Sequence, residues 1–491
     1  MVRGQFVKEK DQEERHFLYH RPMSTAFDLT LDLASRRTLA LQIHDAIGRA
    51  VREGRLEPGA RMPSWRDLAA QLGVARGTVR AAYERLMDEQ LLVSAGAAGT
   101  YVAARPAVAP RGPDAPSQAP LPALFADYGT EPLPFQMGVP AQDAFPFKLW
   151  SRLLAAGARA AAAQPVSYPD PRGLPALRQE IAATLSYARG FACSPTQVIV
   201  TSGFAGALGV TLGALALRGK RAWMEDPGFP LSRYALALAG VEPVAVPVDA
   251  QGLDVASGAT IAPDAALALA TPGQQAPLGV TMTLERRLAL LDWAERAGAW
   301  LIEDDYLSEL QLRGRAAPAL ASLDRTGRVI HIGSFSKTIS PALRLGFLVV
   351  PPALAERFGD YAAALAPAPA MEVQRAVTRF LADGHYLRHL RRMKRLYVAR
   401  ADALREALRR HEGDGVVVHP MGGLAIRMDL PEGADDRDIA RRALAFGLAP
   451  VPLSDWYANG VMRPGLLLSV TNVAPSRIVL DCERLFGLIR R

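Results

Sequence analysis

The sequence predicts a chain in two folded parts, a small winged helix-turn-helix unit near the N-terminus and a large α/β unit around a mostly parallel sheet. Three observations carry that expectation. Between Thr38 and Ala103 the pattern runs helix, short helix, glycine turn, helix and hairpin. From residue 134 onward, short β-branched runs alternate with helical stretches, as expected of strands joined by crossover helices. Between the two lies a segment rich in Pro and Ala, without period, which reads as an extended linker. At 491 residues the chain is about three times the roughly 150-residue prior for one domain. We divide it into a charged N-terminal arm (1–33), the winged unit (34–104), the linker (105–133) and one large domain (134–491).

In the winged unit, Ile43, Ile47 and Val51 repeat at four-residue spacing from Thr38, which predicts a helix ending near Gly54. Ser64 opens a short helix, SWRDLAAQLG, with Asp67 three residues on in the manner of a capping box, and Gly73 ends it. A second helix from Ala75 to Glu89 carries Val79, Tyr83 and Leu86 on one face. LLVSAGAAGTYVA, two apolar pieces around small residues, reads as a β-hairpin. In such a module the second helix of the pair enters the DNA major groove, while the hairpin tip approaches the minor groove or backbone. The candidate DNA contacts follow from position. Arg76, Thr78 and Arg80 lie on the opening turns of the recognition helix, Arg61, Ser64 and Arg66 are placed for phosphates, and Gly99 and Thr100 sit at the wing.

The stretch GRLEPGARMPSWRDLAAQLGVARGTVRAAYERL, followed by AGTYVA, resembles the DNA-binding domain of GntR-superfamily regulators. Three positions depart from that pattern: Trp65 where a small polar residue is usual, Gly77 in the recognition helix, and Gln90 where glycine usually precedes the wing.

In the large unit the candidate strands are QVIVT, RAWME, ALALAT, AWLIEDD, RVIHIG and GFLVV, with helices such as LERRLALLDWAERAG between them. Active sites of such sheets lie at the carboxyl ends of the strands, and three motifs fall there. In AWLIEDDYLSEL, two-residue spacing puts Asp304 and Tyr306 on one face. In VIHIGSFSKTISPALRLGF a strand ends in Ser334, Ser336 and Lys337, with Arg344 seven residues later. In VIVTSGFAGALGV a strand meets a helix whose free N–H groups form an anion site. Lysine is scarce: only Lys8, Lys10, Lys148, Lys220, Lys337 and Lys394 stand among 57 basic residues. A chain that writes Arg wherever charge alone is needed marks an internal Lys beside a polar motif as a candidate for amine chemistry.

Together these groups are what pyridoxal 5'-phosphate requires. Lys337 is the candidate Schiff-base lysine, Asp304 would keep the pyridine nitrogen protonated, and Tyr306 would hydrogen-bond the ring oxygen. Ser334, Ser336, Arg344 and the turn at Gly203, Phe204 and Ala205 would hold the phosphate, and Phe229, in EDPGFP, could stack on the ring. Each motif alone is weak, since an acidic strand end is commonly a solvated cap. Their combination and the lysine scarcity carry the expectation.

Residues 134–490 are similar to fold-type I aminotransferases, most specifically at IEDDYLSEL, SFSKTISPALRLG, EDPGFP and TPGQQAPLGVTM, and the joined architecture resembles the MocR (GabR-like) regulators. That resemblance implies a smaller C-terminal α/β subdomain, a domain that senses a ligand through pyridoxal phosphate, and head-to-tail homodimers. It also implies that Tyr168, in VSYPDPRG, matches a tyrosine reaching the phosphate of the adjacent subunit. Departures from it are informative. The turn after TSG reads FAG rather than carrying polar residues; Ala276 and Leu278 replace polar residues in TPGQQAPLG, leaving Gln275 as the substitute. Leu467 stands where amino-acid transaminases place a carboxylate-binding arginine, with Arg463 and Arg427 nearby in sequence.

The expected function is therefore a regulator binding double-stranded operator DNA and responding to pyridoxal phosphate or an amino compound, with a working aminotransferase carrying a fused DNA module as the alternative. Two cysteines, Cys193 and Cys482, make no disulfide framework and have no metal-type spacing, so no metal is expected. The absence of a signal-like N-terminus or an 18-residue apolar run leads us to expect a cytoplasmic protein without membrane contact. The net charge of +8 is concentrated: residues 385–410 hold nine basic and two acidic residues, whereas 1–104 hold 15 basic and 13 acidic. We expect that basic helical face to lie near DNA or the neighbouring subunit's DNA module.

Overall fold

The structure, a computed structural model, describes residues 29–33, 35, 37–104, 131–163, 167–312, 314, 316–411, 415–419, 423–458 and 463–490. Of the expected arm and linker, all but 29–33 and 131–133 fall outside the described residues. The chain divides into two compact units between residues 126 and 127.

In the first unit, Thr38 caps α1 (Leu39–Arg52), and Ser64 caps α2 (Trp65–Leu72) by accepting from the Asp67 N–H. Gly73 adopts the left-handed conformation that ends α2. The second helix of the pair, α3, runs Arg76–Asp88, and β1 (Leu92–Ser94) pairs antiparallel with β2 (Thr100–Val102). The expected stripes are the core: Ile43, Ile47, Val51, Val79, Tyr83 and Leu86 are buried together with Leu92 and Val102. Each such apolar side chain contributes roughly 1.5–3 kcal/mol on burial. The Tyr83 hydroxyl donates to the Pro63 carbonyl at 2.9 Å, so the one polar atom of that aromatic is satisfied. Gln90, the departure before the wing, holds φ at 57°, the left-handed region that explains why glycine is usual there.

The second unit is built on an eight-stranded sheet. Its strands are β3 (Val198–Thr201), β4 (Arg221–Asp226), β5 (Glu242–Asp249), β6 (Gly252–Leu253), β7 (Leu267–Ala270), β8 (Trp300–Asp305), β9 (Val329–Ser334) and β10 (Gly346–Val349), in the order β3-β10-β9-β8-β7-β4-β5-β6. The run from β5 to β9 is parallel, whereas β10 runs antiparallel to both β3 and β9. Period-two alternation sorts side chains onto two faces: Ile199 joins Ile302, Ile330 and Leu348 in one core, while Val198 and Val200 join Phe347 and Val349 in another. Three helices matter most here. α4 (Gly203–Leu215) leaves β3 directly, α5 (Leu284–Ala297) is anchored where Trp293 stacks on Trp223 of β4 at 3.6 Å, and α6 (His385–Arg409) carries the basic face.

A four-stranded antiparallel sheet follows, β11 (Val417–Val418), β12 (Ala425–Asp429), β13 (Val451–Pro452) and β14 (Gly465–Ser469), in the order β11-β12-β14-β13. It packs with α7 (Asp436–Leu444) and α8 (Ile478–Ile489) through Ile426, Met428, Leu466 and Leu468, forming the smaller α/β part that the resemblance implied. Among the described residues no helix is long and apolar enough to cross a membrane, and no group of His, Cys, Asp or Glu could hold a metal ion.

Candidate functional site

On the first unit, Arg76 and Arg80 are exposed at the start of α3 and Thr78 is partly so. The two arginines differ in readiness: Arg80 is paired with Glu84 at 2.8 Å, whereas Arg76 has no partner among the described residues. Arg66 lays its guanidinium 4.8 Å from the centre of the Trp65 ring, so the unusual Trp65 steers a neighbouring cation. The Ser64 hydroxyl donates to Asp67 Oδ2 at 2.6 Å and is therefore already engaged locally. Arg61 lies against the wing, where a Cβ on Gly99 would come within 3.3 Å of its Nε, and Thr100 begins β2 beside it.

On the second unit, topology brings the three motifs to one edge. β3, β8 and β9 point their carboxyl ends the same way, and β10 begins there, with Gly346 opposite both Thr201 and Ser334. Ser334, Ser336, Lys337, Asp304, Tyr306, Arg344 and the first turn of α4 are thereby gathered from across residues 203–344. Arg344 Nη2 donates to the Ser202 carbonyl at 3.3 Å, beside Gly203, whose φ of 77° starts α4. Ser336 donates its N–H to Ser334 Oγ at 3.1 Å, and the two hydroxyls are 3.0 Å apart.

Lys337 Nζ donates to the Gly138 carbonyl at 3.2 Å, and a Cβ on Gly138 would stand 3.1 Å from it. Burial holds this amine below the usual lysine range, against the pull of Asp304. The Asp304 carboxylate is buried, and no described residue hydrogen-bonds it. Burial pushes its pKa well up, with Asp305 and Glu225 adding to the effect and Lys337 opposing it. The Tyr306 phenol is pushed up by burial and by Asp304, and it too has no hydrogen-bond partner among the described residues. Phe229 meets Phe204 edge to face at 6.3 Å and Trp456 at 5.7 Å, which puts two of the expected contacts side by side.

Two expected residues stand apart. Gln275 is buried and its amide is fully occupied: Nε2 donates to the carbonyls of Pro227 and Ala276, both at 2.8 Å, lies 3.2 Å from Glu225 Oε2, and Oε1 accepts from the Leu278 N–H. Tyr168 is fully exposed on the chain taken alone and reaches none of these groups.

Sequence reasoning missed what supports the site. Glu225, at the end of β4, is buried and pushed up to about 7 by burial, although Thr271 and Gln275 donate to it. Behind Asp304, Arg189 Nε bonds Asp305 at 2.7 Å, and His331 Nδ1 bonds Glu303 at 3.0 Å. Burial works against the charged form of His331, yet Glu303 and Asp305 hold it above the usual histidine range. The signal was present as the acids flanking Asp304 in EDD and as the acid pair ahead of Phe229 in EDPGFP.

Comparison with known proteins agrees with this layout. The family model "Aminotransferase class I and II" matches residues 141–444, and "Bacterial regulatory proteins, gntR family" matches 39–102. The chain is 34% identical to the "Probable rhizopine catabolism regulatory protein MocR" of Rhizobium meliloti, covering 91% of this chain and 93% of that protein. It is 33% identical to the "HTH-type transcriptional regulator TauR" of Rhodobacter capsulatus, covering 92% and 97%. Among solved structures, Pyrococcus horikoshii kynurenine aminotransferase in complex with PMP matches with a TM-score of 0.66 and 26% identity, covering 74% of this chain and 92% of that chain. The α-aminoadipate aminotransferase LysN of Thermus thermophilus, complexed with N-(5'-phosphopyridoxyl)-L-leucine, matches with a TM-score of 0.65 and 27% identity, covering 73% and 92%. The chain belongs to the MocR-type family of transcriptional regulators, in which a gntR-family DNA-binding domain is joined to an aminotransferase class I and II domain.

Proposed function

We propose that this regulator binds pyridoxal 5'-phosphate at Lys337 and that its hold on operator DNA responds to that cofactor or to an amino compound reacting with it. The observation that carries the reading is a pair of groups at one strand edge: a buried Asp304 carboxylate without a hydrogen-bond donor among the described residues and a half-buried Lys337 amine bonded only to the Gly138 carbonyl. An orphaned buried carboxylate costs several kcal/mol, which a pyridinium N–H would offset. When bound, the cofactor would supply an aldehyde for the lysine and an electron-withdrawing ring.

The chain's own residues have distinct tasks. The N–H groups of Gly203, Phe204 and Ala205 open α4 unbonded, so backbone and helix dipole can hold a phosphate there without polar side chains. Ser334, Ser336 and Arg344 would close that cradle. Tyr306 would donate to the ring oxygen, and Phe229 would cover one ring face. Full exposure suits Tyr168 to reaching the phosphate site of a second subunit in a homodimer. On the DNA side, Arg76 and Thr78 would face base edges, while Arg61, Arg66 and Arg80 would face phosphates. A regulator of this kind would act in the cytoplasm. The effector must bind the DNA-competent and DNA-incompetent arrangements unequally, since equal affinity shifts nothing.

The test is reconstitution of the full-length protein with pyridoxal phosphate. We expect a visible absorption band that Lys337→Ala abolishes, and retention of a fragment of the protein's own promoter region that changes with cofactor. A colourless wild-type protein, or retention indifferent to cofactor, overturns the reading.

A further inference from the structure

The linker from the DNA-binding unit continues into the large one as a strap, residues 133–143, that passes within hydrogen-bonding distance of the candidate lysine. Its first stretch is pinned to the small sheet: the Ala449 and Ser469 N–H groups donate to the carbonyls of Pro134 and Phe135 at 2.9 and 3.1 Å, and Phe135 bridges to Ser469 on β14. Phe135 is fully buried yet holds φ at 69°, a left-handed backbone that a bulky residue adopts only under constraint. The far stretch is gripped by α6. Ala141 N–H donates to Tyr397 Oη at 2.9 Å, and Arg400 pairs with Asp143 while also donating to the Thr471 carbonyl.

Between these anchors the Gly138 carbonyl accepts from Lys337 Nζ, the one hydrogen bond of that amine among the described residues. Gly138 holds φ at 90°, and a Cβ there would stand 3.1 Å from Nζ, so the amine comes this close only to a glycine. The next carbonyl, of Val139, accepts from the Thr471 hydroxyl at 2.7 Å and from Asn472 Nδ2 at 3.0 Å. Of these anchors the bond from Lys337 to Gly138 alone depends on the chemical state of a reactive group. A free amine has donors to spare for a carbonyl. When its nitrogen condenses with an aldehyde, a C=N double bond forms and both hydrogens of the neutral amine leave with the aldehyde oxygen as water. A proton regained by that nitrogen lies in the plane of the C=N bond, toward the ring oxygen ortho to it, and no donor is left for Gly138.

We infer that the Gly138 carbonyl is a latch for the free Lys337 amine, and that the strap 133–143 loosens when that amine is engaged, so that the state of the lysine is passed to the segment leading to the DNA-binding unit. The latch stands on the observed contact, whereas its use as a signal rests on the proposed cofactor site. The constrained backbone at Phe135 fits a segment held against its own preference, which relaxes when one anchor goes. Because the latch exists in one state of the lysine and not in the other, it supplies part of the unequal free energy that a shift between arrangements requires.

The experiment measures amide hydrogen exchange in the full-length protein by mass spectrometry, at peptides carrying Ala141, Ala449 and Ser469, whose N–H groups belong to the strap or bond it. Peptides from β8 serve as the reference for global stability. Without cofactor, Lys337→Met should exchange about tenfold faster than the wild type at all three peptides, as expected for the loss of one charge-assisted hydrogen bond, with β8 unchanged. Lys337→Arg, which keeps a donor, should fall in between. Loading the wild type with pyridoxal phosphate should speed the same peptides. Equal exchange in cofactor-free Lys337→Met and wild type overturns the latch and leaves the cofactor reading standing. A wild type that shows no visible band after loading overturns the signal together with the cofactor reading, while Lys337→Met still decides the latch. Should β8 also exchange faster in Lys337→Met, the comparison passes to the wild type with and without cofactor, where equal or slower exchange at the three peptides overturns the proposal.

Discussion

Arg189 Nε holds Asp305 Oδ2 at 2.7 Å with both side chains sealed from water, one residue along β8 from Asp304. Charges buried this deeply are stabilising only as a set, and removing one leaves the other uncompensated. Arg189→Met should therefore destabilise the large unit by about 3–5 kcal/mol. The lowered urea midpoint of that unit, and weaker cofactor uptake in the fraction that stays folded, are the measurements. An unchanged midpoint would show that His331 alone balances the acids.

Glu225 gives the large unit a pH dependence of definite sign. Its folded pKa of about 7 lies above the ordinary 4.5, so between those values the native state holds a proton that the unfolded chain has lost. Stability should accordingly fall as pH rises from about 4.5 to 7 and then level off. The upper bound from this group is about 3 kcal/mol. Glu225→Gln should flatten that slope in urea titrations from pH 5 to 7.5, and an identical slope would assign it to other groups, of which Glu309, also pushed up to about 7 by burial, is the first candidate.

The two arginines on α3 should separate in DNA binding. Arg76→Ala removes an unpartnered cation assigned to base edges and should weaken promoter binding by about 1–3 kcal/mol while relaxing its sequence preference. Glu84→Gln frees Arg80 from its 2.8 Å pair and should strengthen binding a few-fold. Fluorescence anisotropy across a KCl series reads both. No change in either variant would move the recognition surface off α3.

Gln90 offers a stability test confined to the winged unit. A non-glycine residue in the left-handed region costs roughly 1–2 kcal/mol, partly offset by the extra freedom glycine has when unfolded. Gln90→Gly should raise the melting temperature of that unit by a few degrees, whereas Gln90→Val should lower it.

Much of this was legible in sequence because the patterns are local. Ile43, Ile47, Val51, Val79, Tyr83 and Leu86 repeat at helical spacing, and all are buried. The strand ends at Asp304 and Ser334 were readable because short apolar runs stop abruptly there at polar residues. What stayed hidden depends on pairing between distant segments. Gly138 meets Lys337 across 199 residues, Arg189 meets Asp305 across 116, and Arg427 faces Leu467 only through strand register. The same lack of local signal applies to Gln275, whose polarity suggested a ligand contact but whose amide ties its own loop together. The basic run at 385–410 is a helix with Tyr386, Leu390, Met393, Tyr397 and Leu404 buried, and Arg391, Arg392 and Arg395 facing solvent on the unit taken alone.

The antiparallel strand β10 acts as a gauge. Inserted between β3 and β9, it sets Thr201 and Ser334 two strand spacings apart, about 9.6 Å. Gly346 at its head admits no side chain, because a Cβ there would come within 2.9 Å of Gly203 Cα and of the Gly333 carbonyl oxygen. The width of the cradle is thus written into main chain and into one missing methyl group. Side chains at 204 and 205 are free to drift toward Phe and Ala without altering its bore, whereas a single carbon added at 346 would jam it.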